Sequence, residues 1–278
     1  MTSRFSANAR RRRQWRSVAV VAGAAVVFAT RAGVSSAQVS VDELELHISL
    51  KRGATTVAEI FHAANSGGSA AHATISIQDW DRSERGDNRY YPLGSLPTSC
   101  GSHVNVFPSV LQLEPRSMQA VRVTIDSAAA IQTGCYAILF VETPPSPGST
   151  NGAGLVYSVR YGVKVYVERD LPVAGEVQDV TVARRDTAVK GDSLDRAAVT
   201  YRNTGARQTL THGSLEIRRQ DNSVVTTVAI PEFPTLPGAT RRLGVPFPAL
   251  PRGKYVLLAL LDYGGAEIAA GQVELEIP

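Results

Sequence analysis

The chain has 278 residues, a formal charge of +4, 19% charged and 44% apolar residues, and only two cysteines. Seven arginines and no carboxylate fall within residues 1–37, so the rest of the chain carries about −3. That balance leaves no basic field for phosphates and excludes a nucleic-acid partner.

From the amino terminus, Arg4, Arg10–Arg13 and Arg16 precede an apolar run over residues 17–30. The run is shorter than the roughly 20 residues that span a bilayer, and Ser35-Ser36-Ala37 offers small residues for cleavage. Residues 1–37 therefore read as a secretory signal peptide, with an uncleaved anchor as the alternative and the leader as the one membrane contact. Export from the cytoplasm follows, to the periplasm or the cell surface. In an oxidising compartment, Cys100 and Cys135 are expected to form one intramolecular disulfide, two buried free thiols being the alternative.

The mature chain reads as all-β, two immunoglobulin-like sandwiches in tandem: residues 38–168, a linker over 169–175 marked by Pro172 and Gly175, and residues 176–278. In the first half, strands are predicted over residues 57–64, 73–80, 104–113, 119–125, 136–142 and 155–168. Every odd position of the last is apolar: Leu155, Tyr157, Val159, Tyr161, Val163, Val165 and Val167. At about 14 residues it exceeds an ordinary strand, and its surplus apolar length suits strand addition to a partner. A plain core strand is the other reading. The second half predicts seven strands, over residues 177–183, 197–203, 214–219, 224–230, 241–247, 254–262 and 272–277, punctuated by turn residues.

Few residues invite chemistry. The five histidines are scattered, no nucleophile elbow occurs, and neither cysteine has a ligand at metal spacing, so no enzyme activity, cofactor or metal site is expected. Residues 79–87 are acidic, but Gly86 is the eighth residue where a calcium loop needs a glycine at the sixth. The stretch reads as a solvated hairpin.

Residues 75–80 (Ile-Ser-Ile-Gln-Asp-Trp), 107–115 (Phe-Pro-Ser-Val-Leu-Gln-Leu-Glu-Pro), 117–125, the Pro144-Pro145 pair and the long alternating strand together resemble the periplasmic pilus-assembly chaperones of the chaperone–usher type. The resemblance covers about residues 39–168. It implies a boomerang of two immunoglobulin-like domains that holds an exported subunit through the long last strand of domain one. An outer-membrane usher would be a second partner. It places Leu155, Tyr157 and Val159 as subunit-binding positions and Lys164 as the cleft lysine that anchors the subunit's terminal carboxylate. The family pairs that lysine with a first-strand arginine, and residues 43–50 contain none. An envelope- or surface-associated immunoglobulin-like structural or interaction module without chaperone activity is the alternative function.

Overall fold

The computed structural model describes residues 39–147, 156–183 and 195–278, with backbone only at 146–147 and 156–157. The expected leader, residues 1–37, lies outside them.

The regular structure of the described residues is strand, apart from two 3-10 turns at Gly101–His103 and Ala128–Ala130. The first half contains β1 (Val39–Val41), β2 (Glu45–Leu50), β3 (Thr56–Asn65), β4 (Ala71–Arg82), β5 (Asn88–Tyr91), β6 (Val104–Phe107), β7 (Val110–Leu113), β8 (Ser117–Asp126), β9 (Cys135–Glu142), β10 (Ser146–Pro147), β11 (Val156–Tyr157) and β12 (Arg160–Arg169). One sheet runs β1-β3-β8-β6 and the facing one β2-β12-β9-β4-β5, with β7 also on β4. The second half contains β13 (Gly175–Ala183), β14 (Asp195–Asn203), β15 (Thr209–Arg219), β16 (Val224–Thr235), β17 (Thr240–Phe247), β18 (Gly253–Asp262) and β19 (Ala269–Ile277). Its sheets run β13-β14-β17 and β16-β15-β18-β19. These are the two sandwiches that the alternation implied, and all seven strands predicted in the second half are present.

Period-two alternation builds each core. Phe61, Val121, Val123 and Ile125 from one sheet meet Ile48, Leu139, Val163, Val165 and Val167 from the other, all essentially inaccessible to solvent. The second sandwich packs Tyr201, Leu215, Ile217, Phe247, Leu257 and Leu261 in the same way. Each sandwich also closes a turn with a buried asparagine. Asn65 Nδ2 donates to Leu113 O and its Oδ1 accepts from Gly67 N; Asn203 Nδ2 donates to Thr235 O and its Oδ1 accepts from Gly205 N. A buried amide satisfied on both sides fixes a turn where a buried orphan would cost about 1–3 kcal/mol.

Two predicted strands are broken. Residues 104–113 divide into β6 and β7, which join different sheets on either side of Pro108. The 14-residue strand over 155–168 is instead the short β11, paired to β10, followed by the ten-residue β12. Between them, Val159 turns its backbone onto Thr143: Val159 N donates to Thr143 Oγ1 (3.0 Å) and Thr143 N donates to Val159 O (3.0 Å). The surplus strand length is therefore absent from β12, whose odd positions Val163, Val165 and Val167 are core.

The acidic stretch 79–87 is a hairpin, β4 pairing with β5, but it is not simply solvated. Asp79 is fully buried and accepts from Leu96 N (2.9 Å) and Ser99 Oγ. The turn meets the second sandwich, where Glu84 O accepts from Arg242 N (2.8 Å) and from Arg241 Nε (3.3 Å). Gly86 lies so close to the Arg241 guanidinium that a Cβ there would sit 2.5 Å from it.

Candidate partner-binding edge and groove

The strand β9 supports the site because it is buried on both faces. Cys135, Ala137, Leu139 and Val141 point into the sandwich core, while Tyr136, Ile138 and Phe140 join Trp80, Tyr166 and Leu236 in a second apolar cluster on the outside of the sheet. Aromatic edges meet faces there, Trp80–Tyr166 at 5.6 Å and Tyr136–Tyr166 at 5.9 Å between centroids. Cys135 bonds to Cys100, so the disulfide forms as expected, and it ties the start of β9 to the loop before β6.

On this floor lies an open groove of about 570 Å³, lined by Leu44, Tyr90, Ile138, Phe140 and Gly162 and by the polar Glu45, Asn88, Arg160 and Lys164. Gly162 has no side chain to raise the floor, and a Cβ there would lie 2.9 Å from Ile138 Cδ1 and 3.3 Å from Phe140 Cε1. The Arg160 guanidinium lies 3.6 Å from the Phe140 ring centroid, a cation–π contact, and also faces Glu142 at 3.5 Å.

One edge of the groove is backbone. β9 flanks β12 from Arg160 to Val167, but the parallel partner β2 starts only at Lys164, in the register Lys164↔Glu45 to Arg169↔Leu50. Lys164 N donates to Leu44 O at 2.8 Å. Because backbone groups alternate in direction along a strand, Gly162 and Arg160 also aim their amides and carbonyls toward the β2 side. Among the described residues no strand meets them there.

The covered end is polar. Lys164 Nζ donates to Glu45 Oε1 at 3.0 Å, Tyr166 OH donates to the same oxygen at 3.3 Å, and His47 Nε2 lies 3.7 Å from Oε2. The two charges are direct neighbours in the parallel register and share the outer face, so the pair follows from the pairing itself. Burial pushes the Glu45 pKa up, but the Lys164 bond and charge, with His47 and Tyr166, outweigh it and hold the carboxyl below its ordinary range. Burial, with Glu45 beside it, pushes the Tyr166 hydroxyl up. Lys164 Nζ also sits 5.2 Å from the Trp80 ring centroid.

Of the residues singled out from the sequence, Lys164 lines the groove, while Val159 is half-buried and not among the lining residues, its backbone taken by Thr143. Tyr157 is described only in its backbone, which pairs with Ser146, and Leu155 lies outside the described residues. Arg160, Gly162 and Glu45 were not singled out. The cue for Gly162 is a glycine inside an alternating apolar strand, which marks a close approach.

No family model and no curated protein matches the chain. Solved structures do. A class 5 fimbriae chaperone, CfaA, is 11% identical over 87% of this chain and 100% of its own, with a TM-score of 0.50. The chain shares the fold of this fimbrial chaperone. Further likenesses to fimbrial-chaperone structures include a chaperone–tip adhesin complex of CFA/I fimbriae (9% identity, 87% and 99% covered, TM-score 0.49) and the Salmonella enterica SafA pilin bound to the SafB chaperone (12%, 88% and 99%, 0.44).

Proposed function

We propose that the chain is a periplasmic, chaperone-like binding protein that holds an exported, pilus-type subunit by strand addition along residues 160–163, between Val159 and Lys164. The observation that carries this reading is the half-covered strand: β12 presents the backbone groups of Arg160 and Gly162 beside an apolar groove, where β2 has not yet begun. An incoming strand would hydrogen-bond those groups and lay alternate side chains on Ile138 and Phe140, main chain giving affinity and side chains giving selectivity. The role is binding rather than catalysis, and it is the role that the fimbriae chaperone of like fold is named for. An outer-membrane usher is the second partner in this reading, and residues 169–175 link the two domains.

Arg160→Pro tests it. The substitution removes an N–H that no described strand uses, and proline is tolerated on edge strands when its nitrogen faces outward. Tagged wild type should co-purify an exported protein encoded beside it, and Arg160→Pro, melting near wild type, should lose that protein. Equal recovery on both proteins would turn the reading toward an envelope module without chaperone activity.

A further inference from the structure

We infer that two copies of this chain pair antiparallel along Thr226–Ile230 of β16, a two-fold dimer in which the four-stranded sheets of the two second sandwiches become one continuous sheet. β12 and β16 belong to different sandwiches, so this pairing is independent of the strand-addition reading.

An open strand edge is a row of unpaired amides and carbonyls that takes another strand unless it is short, charged, bulged or interrupted by proline. Most edges here carry one of these devices. In the first sandwich β1, β5 and β6 have three or four residues each, and β2 carries Glu45 and His47. In the second, β13 carries Glu176 and Asp179 around a bulge, and β19 carries Glu274 and Glu276. β17 carries Arg241, Arg242 and Pro246, and Arg242 N donates to Glu84 O of the first sandwich. Apart from the open half of β12, the exception is β16. It has 12 residues, pairs only with β15 among the described residues, and has no charge, glycine or proline from Val224 to Ile230.

The same stretch is complementary to itself. A register shift opposite Ile217 and Arg218 places a bulge before Thr226, and Pro231 follows Ile230, so the usable ladder runs from Thr226 to Ile230. Thr226 and Val228 oppose the core residues Ile217 and Leu215 and turn inward with Ile230, whereas Thr227 and Ala229 face out. The inward side is unfinished at this edge: Leu215 and Ile217 are wholly inaccessible, yet Thr226 and Val228 beside them are only half-buried. A two-fold axis through Val228 lays Val228 on itself, Thr227 on Ala229 and Thr226 on Ile230 of the second copy. Each pair then shares a face, and no charge meets another. The added strand completes the burial of Thr226 and Val228 and pairs the outward amides and carbonyls of the edge. The second sandwich has one such edge, so the assembly closes at two copies.

The test is sedimentation velocity of the exported chain from low micromolar to near-millimolar concentration. So short a ladder makes an interface at the small end of the specific range, and wild type should move from one chain toward two as concentration rises, and no further. Ala229 is exposed, and Ala229→Lys sets two lysines diagonally across the axis. It should weaken the dimer by about fivefold or more, since a two-fold interface counts each change twice. An equimolar mixture of Ala229→Lys and Ala229→Glu should associate at least as tightly as wild type. Ala270→Lys, at an exposed alanine on the far edge strand of the same sheet, should leave the dimer unchanged, and thermal melts check each fold. A wild type that stays monomeric throughout, association that Ala229→Lys leaves intact, or a mixture that fails to recover overturns the dimer. Loss of a co-purified exported protein from Ala229→Lys, with wild type monomeric, overturns it too and makes β16 a second edge for the client. None of these results touches strand addition at β12, which Arg160→Pro decides.

Discussion

The two halves of β12 have the same alternating sequence and opposite surroundings. From Lys164 to Val167 the strand lies between β9 and β2, with Val165 and Val167 in the core, and β2 continues alone to Arg169; from Arg160 to Val163 it has β9 alone among the described residues. The comparison separates stability from binding along one strand. The covered half is fixed by two ladders and the open half by the β9 ladder and the buried Val163, which leaves only its outer backbone edge available to a partner.

The sharpest way to break this comparison is to charge the covered half. Val165 is wholly inaccessible, and Val165→Asp buries an unpaired carboxylate, expected to cost about 4 kcal/mol or more. Arg160→Pro in the open half should cost about 1 kcal/mol, mostly the lost cation–π contact with Phe140, since surface changes by themselves usually stay within about 0.5 kcal/mol. Denaturant titration of both variants decides, and equal losses would mean that the halves do not differ. Next in size is the support beneath them. Reducing Cys100–Cys135 should cost about 2–4 kcal/mol, as expected for a closed loop of this order, with the loss in the first sandwich because both cysteines belong to its core.

Gly162→Val probes the groove itself. Its side chain would displace Ile138 and Phe140, and overpacking of this kind costs about 1–3 kcal/mol; recovery of the exported protein should fall further than stability does. A smaller effect is expected where the sandwiches meet. Arg241 is buried, lies over Phe233 and donates to Glu84 O and Pro234 O. Arg241→Ala should quicken proteolysis within residues 169–175, the proposed linker, while leaving recovery of the exported protein near wild type. An unchanged cleavage rate would show that Arg241 does not brace the domains.

Local pattern revealed much of this, and long-range pairing hid the rest. Val163, Val165 and Val167 announce a core strand by alternation alone. The same alternation runs unbroken through Tyr157-Ser158-Val159-Arg160, so the break at Ser158 and Val159 left no mark in hydropathy; its cause is Thr143, a polar residue of the preceding segment. The acidic hairpin was visible in 79–87, but its docking depends on Arg241 and Arg242, more than 150 residues away. The absence of a first-strand arginine was legible. The role of Glu45 was not, because it depends on a parallel register between β2 and β12 that no local spacing encodes.

The smallest effect expected is also the most direct reading of that register. Burial raises the Glu45 pKa, but its bonds to Lys164 and Tyr166, with His47 nearby, outweigh that and hold it below the ordinary 4.5. A carboxyl depressed in the folded state contributes stability above its unfolded value and loses it as pH falls through the folded one. Glu45 is 43% exposed, so water screens the pair and the contribution stays small. Asp42, held low by the countering effect of His62 against burial, titrates in the same acid range, so wild type alone would mix the two. Glu45→Gln isolates the pair. The stability difference between wild type and Glu45→Gln, measured by denaturant at a series of pH values, should be constant near neutrality and shrink below about pH 4.5 as Glu45 takes up a proton. Added salt at neutral pH should shrink it as well. A difference that widens on acidification would mean that Glu45 is held by burial rather than by Lys164, and the cleft lysine would then be free to meet a partner's carboxylate.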